Sequence, residues 1–469
     1  MPKRETIEEL QQENELLRAT IKRLEAEVVE LKAVIKGMLK QDSHNSHQPP
    51  SQDKQRYPKM KFEDKEAKAE KQKRERETLE FSEDPDNVEQ RKIDYQQCAC
   101  GRGLAEQASH WERVQVIDVP ELRLEVTEYQ RERKRCQCGK LHEALLPEGI
   151  YAGVQYGPRS KGLLSYWHQY QHLPLGRCVE SFQDLFGQGM SEGSLLKSQA
   201  RLYEELAEAE QEIIGALKQS PDIHGDETGL FVKQQNHWLH VRSNAELTFY
   251  HIDKSRGSQA HKSMGIFADY QGRMVHDCHG SYFTHQGQHV ICHSHTIREL
   301  LSVFEATAQA WAYDLAQLLW ESNCERGKLG LSLERQVSIT TCYLDLLVQA
   351  QDLNPERPRP QGHKGRVKQS KAFNLIKRLL NLQDAALLFL TDPAIPFTNN
   401  QAERDLRMMK LKQKISGGFQ SQQSPKHFCR IRGYISTLRK QGLPVLEALT
   451  EAFRGRAVLP RLPTSLLEG

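Results

Sequence analysis

Nowhere in the 469 residues is there an apolar run of the ~20 residues needed to cross a bilayer. The charged N-terminus also lacks the apolar core of a secretory signal. Both absences point to a cytoplasmic protein with no membrane partner. Aromatic residues make up 7% and hydrophobic residues 38% of the chain, and the mean hydropathy is −0.68, so polar segments are expected beside ordinary cores. A disulfide framework is missing too: of ten cysteines, four sit in two Cys-x-Cys-Gly pairs and the rest are scattered, as in a reducing compartment. Nor is there a strong charge of one sign, since 65 Lys and Arg face 62 Asp and Glu. The distribution is more telling. From Arg404 to Lys440 ten basic residues accompany a single acid, Asp405.

At roughly 150 residues per domain the length suggests about three domains. Residues 5–39 carry a heptad: Ile7, Asn14, Ile21, Val28 and Ile35 recur every seven residues, with Leu10, Leu17, Leu24, Leu31 and Met38 three residues later. β-Branched residues at one seam position and Leu at the other favour a parallel two-stranded coil, and a lone Asn fixes its register. An amphipathic helix packed on its own domain is the plainer alternative. Residues 41–90 show no apolar period, and from Lys54 to Glu77 ten basic and six acidic residues alternate. That composition suits a solvated linker, with loose phosphate contact as the alternative.

Cys98-Ala99-Cys100-Gly101 and Cys136-Gln137-Cys138-Gly139 offer four thiolates, the set that tetrahedral zinc takes. Each glycine permits a tight turn after the second sulfur. Free core cysteines are the alternative, and His142 could replace one thiol. Val114–Val119 and Leu122–Thr127 alternate like two strands, and Arg131, Arg133, Lys134 and Arg135 would face phosphates. Residues 158–218 have helical spacing, with Ser191 placed to start one of the helices, and read as a helical support or a DNA-binding helix pair.

The next stretch reads strand, strand, strand, helix, strand. Asp226 lies in the first strand, the pair 236–242 and 246–252 suits a hairpin, and Asp277 ends the fourth strand. His289–His293 is a candidate fifth strand. Residues 299–352 are strongly helical, Pro355–Lys371 is a basic break, and a second helix covers Phe373–Phe389. A further helix then opens at Asn399-Asn400 and carries Glu403. Asp226, Asp277 and Glu403 could form one pocket for hard divalent cations. Each has a competing role. Asn400-x-x-Glu403 fits a helix capping box, Asp277 could cap a turn, and Glu227 rivals Asp226, although alternation sets the two on opposite faces of a strand. Cys292 and His295 could be metal ligands, but a buried thiol and a helix-start histidine are the plainer reading. Arg404, Arg407, Lys410, Lys412 and Lys414, with almost no acids nearby, fit contacts to a DNA backbone.

The order of elements resembles the ribonuclease-H-like fold of DDE transposases, and the motifs resemble one family, the insertion sequence 66 transposases. They are His224-Gly225-Asp226-Glu227-Thr228-Gly229, Asn236–Val241, His276-Asp277-Cys278, Cys292-His293-Ser294-His295 with Arg298-Glu299-Leu300, Asn399–Arg404, Lys412–Phe419, and Phe428–Arg432 with Ser436–Lys440. The resemblance implies that Asp226, Asp277 and Glu403 are the catalytic triad, binding two Mg²⁺ or Mn²⁺ ions per active site for hydrolysis at element ends and strand transfer into target DNA. It also implies one structural Zn²⁺ on Cys98, Cys100, Cys136 and Cys138. The partners implied are double-stranded DNA, a homodimer or higher assembly through the N-terminal coil, and accessory proteins of the same element. A catalytically inactive DNA-binding regulator and a metal-dependent nuclease without strand transfer are the alternatives. The expected fold is multidomain α/β: a leucine zipper at 1–40, a charged linker at 41–90, a four-cysteine zinc domain at 91–150, and a helical domain at 155–220. A ribonuclease-H-like core follows at 221–298 and 391–440 around an α-helical insertion at 299–390, with a tail at 441–469.

Overall fold

The computed structural model describes residues 79–104, 108–151, 153–327, 329–359, 365 and 367–461. The heptad of residues 1–40 and the linker up to residue 78 lie outside the described residues. The chain divides into two units, Met1–Asp118 and Val119–Gly469.

In the first unit the described chain forms no regular helix or strand, only bends, a turn and one isolated bridge between Gln97 and Gly103. The Ser82 N–H donates to Gln115 Oε1 at 2.7 Å, and Gln115 Nε2 returns a bond to the Ser82 carbonyl. The alternation at Val114–Val119 and Leu122–Thr127 does not produce strands. Val114, Val116, Ile117 and Val126 are exposed, and an alternating segment gains nothing from pleating where no layer covers its apolar face.

The second unit contains a hairpin of β1 (Arg133–Arg135) and β2 (Leu141–Glu143), with Lys134 opposite His142. Helices α1 (Pro158–Ser165), α2 (Leu175–Phe186), α3 (Glu192–Glu205) and α4 (Ala207–Lys218) follow. Proline opens α1, where its missing N–H costs nothing. Gly187, at φ 70°, ends α2, and Ser191 caps α3 by accepting the Ser194 N–H. Leu202, Leu206 and Ala209 pack against Ile431, Tyr434, Ile435 and Leu438 of a helix far along the chain. This helical layer therefore supports the C-terminal part of the unit.

Five strands form one mixed sheet in the order β5-β4-β3-β6-β7. They are β3 (Asp222–Val232), β4 (Gln235–Ser243), β5 (Thr248–Asp253), β6 (Arg273–His276) and β7 (His289–Ile291). β3, β4 and β5 pair antiparallel, whereas β6 and β7 run parallel to β3. The short helix α5 (Ser258–Met264) connects β5 to β6. Gly225 allows close packing at the centre of the sheet: a Cβ there would meet Met274 Cε, Arg242 Nη1 and Tyr282 Cε1.

After β7 come α6 (His293–Thr307), α7 (Ala310–Arg326), α8 (Leu333–Leu353), α9 (Lys371–Asn381) and α10 (Gln383–Leu387). The single helix expected over 299–352 is broken twice. Ala308 adopts φ 53° and Gly327 φ 48°, and both lie outside the right-handed helical region. This block packs Leu315, Leu319, Tyr343 and Leu379 in one core with Val275, Val290 and Ile291 of the sheet. The chain then returns to the sheet in α11 (Asn400–Ser416), α12 (Ser424–Lys440) and α13 (Val445–Phe453). No helix among the described residues is long and apolar enough to cross a membrane.

Candidate active site

The parallel strands end in a row of chemically active side chains. β3 and β6 pair His224 with Val275, and that register continued by two residues brings Asp277 level with Asp226. β6 and β7 pair His276 with Ile291, and one residue further sets Cys292 beside Asp277. Ends of parallel strands are where open α/β sheets place their ligands, because backbone and side chains converge there without covering helices.

Asp226 is largely buried, and burial is the main reason its carboxyl is pushed up to about 7. The neighbouring charges of Glu227, Asp277 and Glu403 push the same way, while the Glu227 N–H, donating to Asp226 Oδ1 at 2.8 Å, works against them. Three other carboxylates thus act on Asp226, and no cation is among the causes. Asp277 follows β6 in a tight turn: its Oδ1 accepts the His279 N–H at 3.0 Å, and Cys278 takes φ 68°. So Asp277 does cap a turn, with one oxygen.

Glu403 reaches the row on α11, and Asn399 directs that helix. The Asn399 Nδ2 donates to the Gly225 carbonyl at 2.8 Å, its Oδ1 lies 3.1 Å from His224 Nδ1, and its N–H donates to Cys292 Sγ. With the amide nitrogen committed to a carbonyl, Oδ1 must accept, so His224 carries its proton on Nδ1. Asn399 is 1% exposed and makes no side-chain cap. The capping box suggested by Asn400-x-x-Glu403 is not made. Glu403 Oε1 is instead buried without a hydrogen-bond partner, 3.7 Å from His295 Nδ1.

The competing acids are already occupied. Glu227 accepts from Arg256 Nε at 2.8 Å and from the Tyr282 hydroxyl, and its side chain is 1% exposed. Asp405 pairs with Lys440 at 2.8 Å. Of the candidate acids, Asp226, Asp277 and Glu403 have no Lys or Arg partner among the described residues.

Beneath Asp277 runs a chain of neutral histidines. The Cys278 N–H donates to His276 Nδ1, so His276 Nε2 holds the proton and donates to His289 Nδ1 at 3.0 Å; His289 Nε2 then donates to the His285 carbonyl. Burial drives His276 well below its ordinary value, which keeps it neutral. Sequence reasoning missed both this chain and Asn399. The clustering of His276, His285 and His289 around one acid was the available signal.

On α11, Arg404, Arg407, Lys410 and Lys414 are exposed. Lys412 does not join them. It is 6% exposed, with its ammonium over the rings of Phe419 and Phe428, because helical spacing turns it toward the side of Met409. Arg131 and Arg133 pair with Glu143, and Lys134 with Glu132. The two cysteine turns share one geometry. The N–H of Cys98 and of Cys136 donates to the carbonyl four residues on, and Gly101 and Gly139, at φ 83° and 88°, donate back to the first cysteine. The Cys100 and Cys138 N–H groups lower the Cys98 and Cys136 thiols by donating to them. This favours thiolates, the form that binds metal.

A mixed sheet that gathers carboxylates at its strand ends, next to a helix with a basic face, suits an enzyme working on a polyanion. The model of the Transposase IS66 family matches residues 153–426, more than half of the chain, and the chain belongs to that family. No curated protein matches it. Family membership makes it a transposase in the general sense, a nucleic-acid-processing enzyme whose partner is DNA.

Proposed function

We propose that the protein is a DDE transposase with a ribonuclease-H-like core, in which Asp226, Asp277 and Glu403 cleave DNA at element ends and join those ends to target DNA. The observation that carries this reading is the unneutralised cluster. Asp226 is raised to about 7 by burial and by like charges, while Glu403 Oε1 lies buried and unpartnered. Such a set fits divalent cations, which would remove a repulsion that only the Glu227 N–H opposes at Asp226. Two bound Mg²⁺ or Mn²⁺ ions would supply the Lewis acidity that activates an attacking oxygen and stabilises a leaving one. The chain's own part is positional. β3 holds Asp226 rigidly, the turn at Cys278 aims Asp277, and Asn399 sets the angle at which Glu403 approaches. The exposed Arg404, Arg407, Lys410 and Lys414 would hold the DNA backbone beside the acids. Assembly on two DNA ends would use the heptad of residues 1–40 as a dimer contact.

The deciding experiment incubates the full chain with element-end DNA and Mg²⁺ and looks for products joined to a second duplex. Joined products that vanish with Glu403→Gln support the reading. Cleavage without joining would favour a nuclease, and binding without either would favour a regulator.

A further inference from the structure

Cys292, His295 and Glu403 form a group of their own. Cys292 Sγ, one His295 ring nitrogen and a Glu403 oxygen all lie within 4.8 Å of one another. His295 Nδ1 and Glu403 Oε1 are both buried without a hydrogen-bond partner, and at 3.7 Å they are too far apart to bond each other. Two unsatisfied buried atoms facing one another across such a gap call for something between them. The sulfur is held in place: Cys292 precedes α6 and accepts the Asn399 N–H at 3.2 Å, and burial raises its thiol although the N–H groups of Asn399, His295 and Ser294 oppose that. His295 follows one turn later on the same helix.

We propose that Cys292, His295 and Glu403 bind a borderline divalent transition ion of the Zn²⁺ class, in a site that shares Glu403 with the acid cluster. Sulfur, nitrogen and carboxylate oxygen together match Zn²⁺ or Co²⁺, whereas Mg²⁺ does not take a thiolate. Three protein ligands leave a fourth position open. The thiol proton is released on binding, so affinity rises with pH. Glu403 cannot serve both ions in full. Zn²⁺ therefore withdraws it from the hard-cation pocket and opposes Mg²⁺. Only this antagonism rests on the proposed transposase chemistry; the binding itself does not.

The test is a Co²⁺ titration of the full chain, following thiolate-to-cobalt charge-transfer absorption and counting bound ions by equilibrium dialysis. Wild type should bind one more Co²⁺ per chain than Cys292→Ser, which keeps a hydrogen-bond acceptor for Asn399. His295→Gln should lose the same equivalent, and Glu403→Gln should weaken it at least tenfold. If Cys292→Ser fails to fold by circular dichroism, His295→Gln decides alone, since no hydrogen bond holds that Nδ1 in the fold. Excess Mg²⁺ should weaken this equivalent in wild type. Equal stoichiometry and affinity in wild type and variants would overturn the proposal, whatever the outcome of the strand-transfer assay.

Discussion

Asn399 Nδ2 donates to the carbonyl of Gly225 at 2.8 Å across 174 residues of chain. That bond ties the residue before Asp226 to the residue that starts the Glu403 helix, so the first and last acids share one rigid reference. Asn399→Ala would leave the buried Gly225 carbonyl unsatisfied, at a cost of about 1–3 kcal/mol by thermal or denaturant unfolding. DNA cleavage should fall at least a hundredfold, since small displacements of catalytic groups are costly. Asn399→Asp keeps the acceptor for His224 but loses the donor to Gly225, and should behave nearly as badly. An Asn399→Ala protein with normal cleavage would show that the helix angle is set elsewhere.

Three carboxylates that look alike on paper should separate in the laboratory. Glu403→Gln should leave the melting temperature almost unchanged and lower strand transfer by several orders of magnitude. Glu227→Gln should do the reverse: it weakens a buried pair with Arg256 and Tyr282 and should cost about 1–3 kcal/mol of stability, with activity reduced far less. Asp405→Asn should resemble Glu227→Gln, because it deprives the buried Lys440 of its counterion. Loss of activity without loss of stability in Asp405→Asn would move the third acid there.

The first two acids were legible because their placement is local. Alternation along β3 separates Asp226 from Glu227, and an acid closing an apolar strand marks Asp277. The setting of Glu403 was not, since Asn400-x-x-Glu403 satisfies a capping pattern on its own. Only contacts of Asn399 with His224, Gly225 and Cys292 show what that helix start does instead. Lys412 shows the same limit. Charge counting groups it with its basic neighbours, but packing turns it inward. At Val114–Thr127 alternation called for strands, and without a covering layer the pattern has no structural outcome.

The exposed basic face makes a graded prediction. Single alanine replacements of Arg404, Arg407, Lys410 or Lys414 should each reduce the salt slope of DNA binding by about 1, measured as affinity against ionic strength. Lys412→Met should leave the slope unchanged. Burial pushes the Lys412 ammonium down to about 8 from an ordinary 10.5, so its charge costs stability below pH 8. Lys412→Met should therefore raise the melting temperature at pH 7, with the gain fading as the pH climbs from about 8 toward 10.5. A changed salt slope in Lys412→Met would place that ammonium on DNA after all.

The sequence expectation of one structural zinc has a direct chemical test. Metal analysis of the full chain after dialysis should find a zinc that disappears when Cys136 and Cys138 are both replaced by Ser and persists in Cys292→Ser. Retention of all zinc by the double variant would assign the metal elsewhere.

Asp226 gives the sharpest test, because its charge should work against the fold. Its carboxyl titrates at about 7 in the folded chain against an ordinary 3.8. Between those values the folded state holds a proton that the unfolded state has lost, so without metal stability falls as the pH rises through this window. The penalty is absent below about 4 and complete above about 7. Asp226→Asn removes it. In chelator at pH 8 the variant should be more stable than wild type, by on the order of 2 kcal/mol, and the difference should vanish near pH 4. Mg²⁺ should stabilise wild type above pH 7 and do little for Asp226→Asn, whose strand transfer should be abolished. A variant less stable than wild type at pH 8 in chelator would mean that a partner holds the Asp226 charge against burial and repulsion, and the acid cluster would lose its case as a cation pocket.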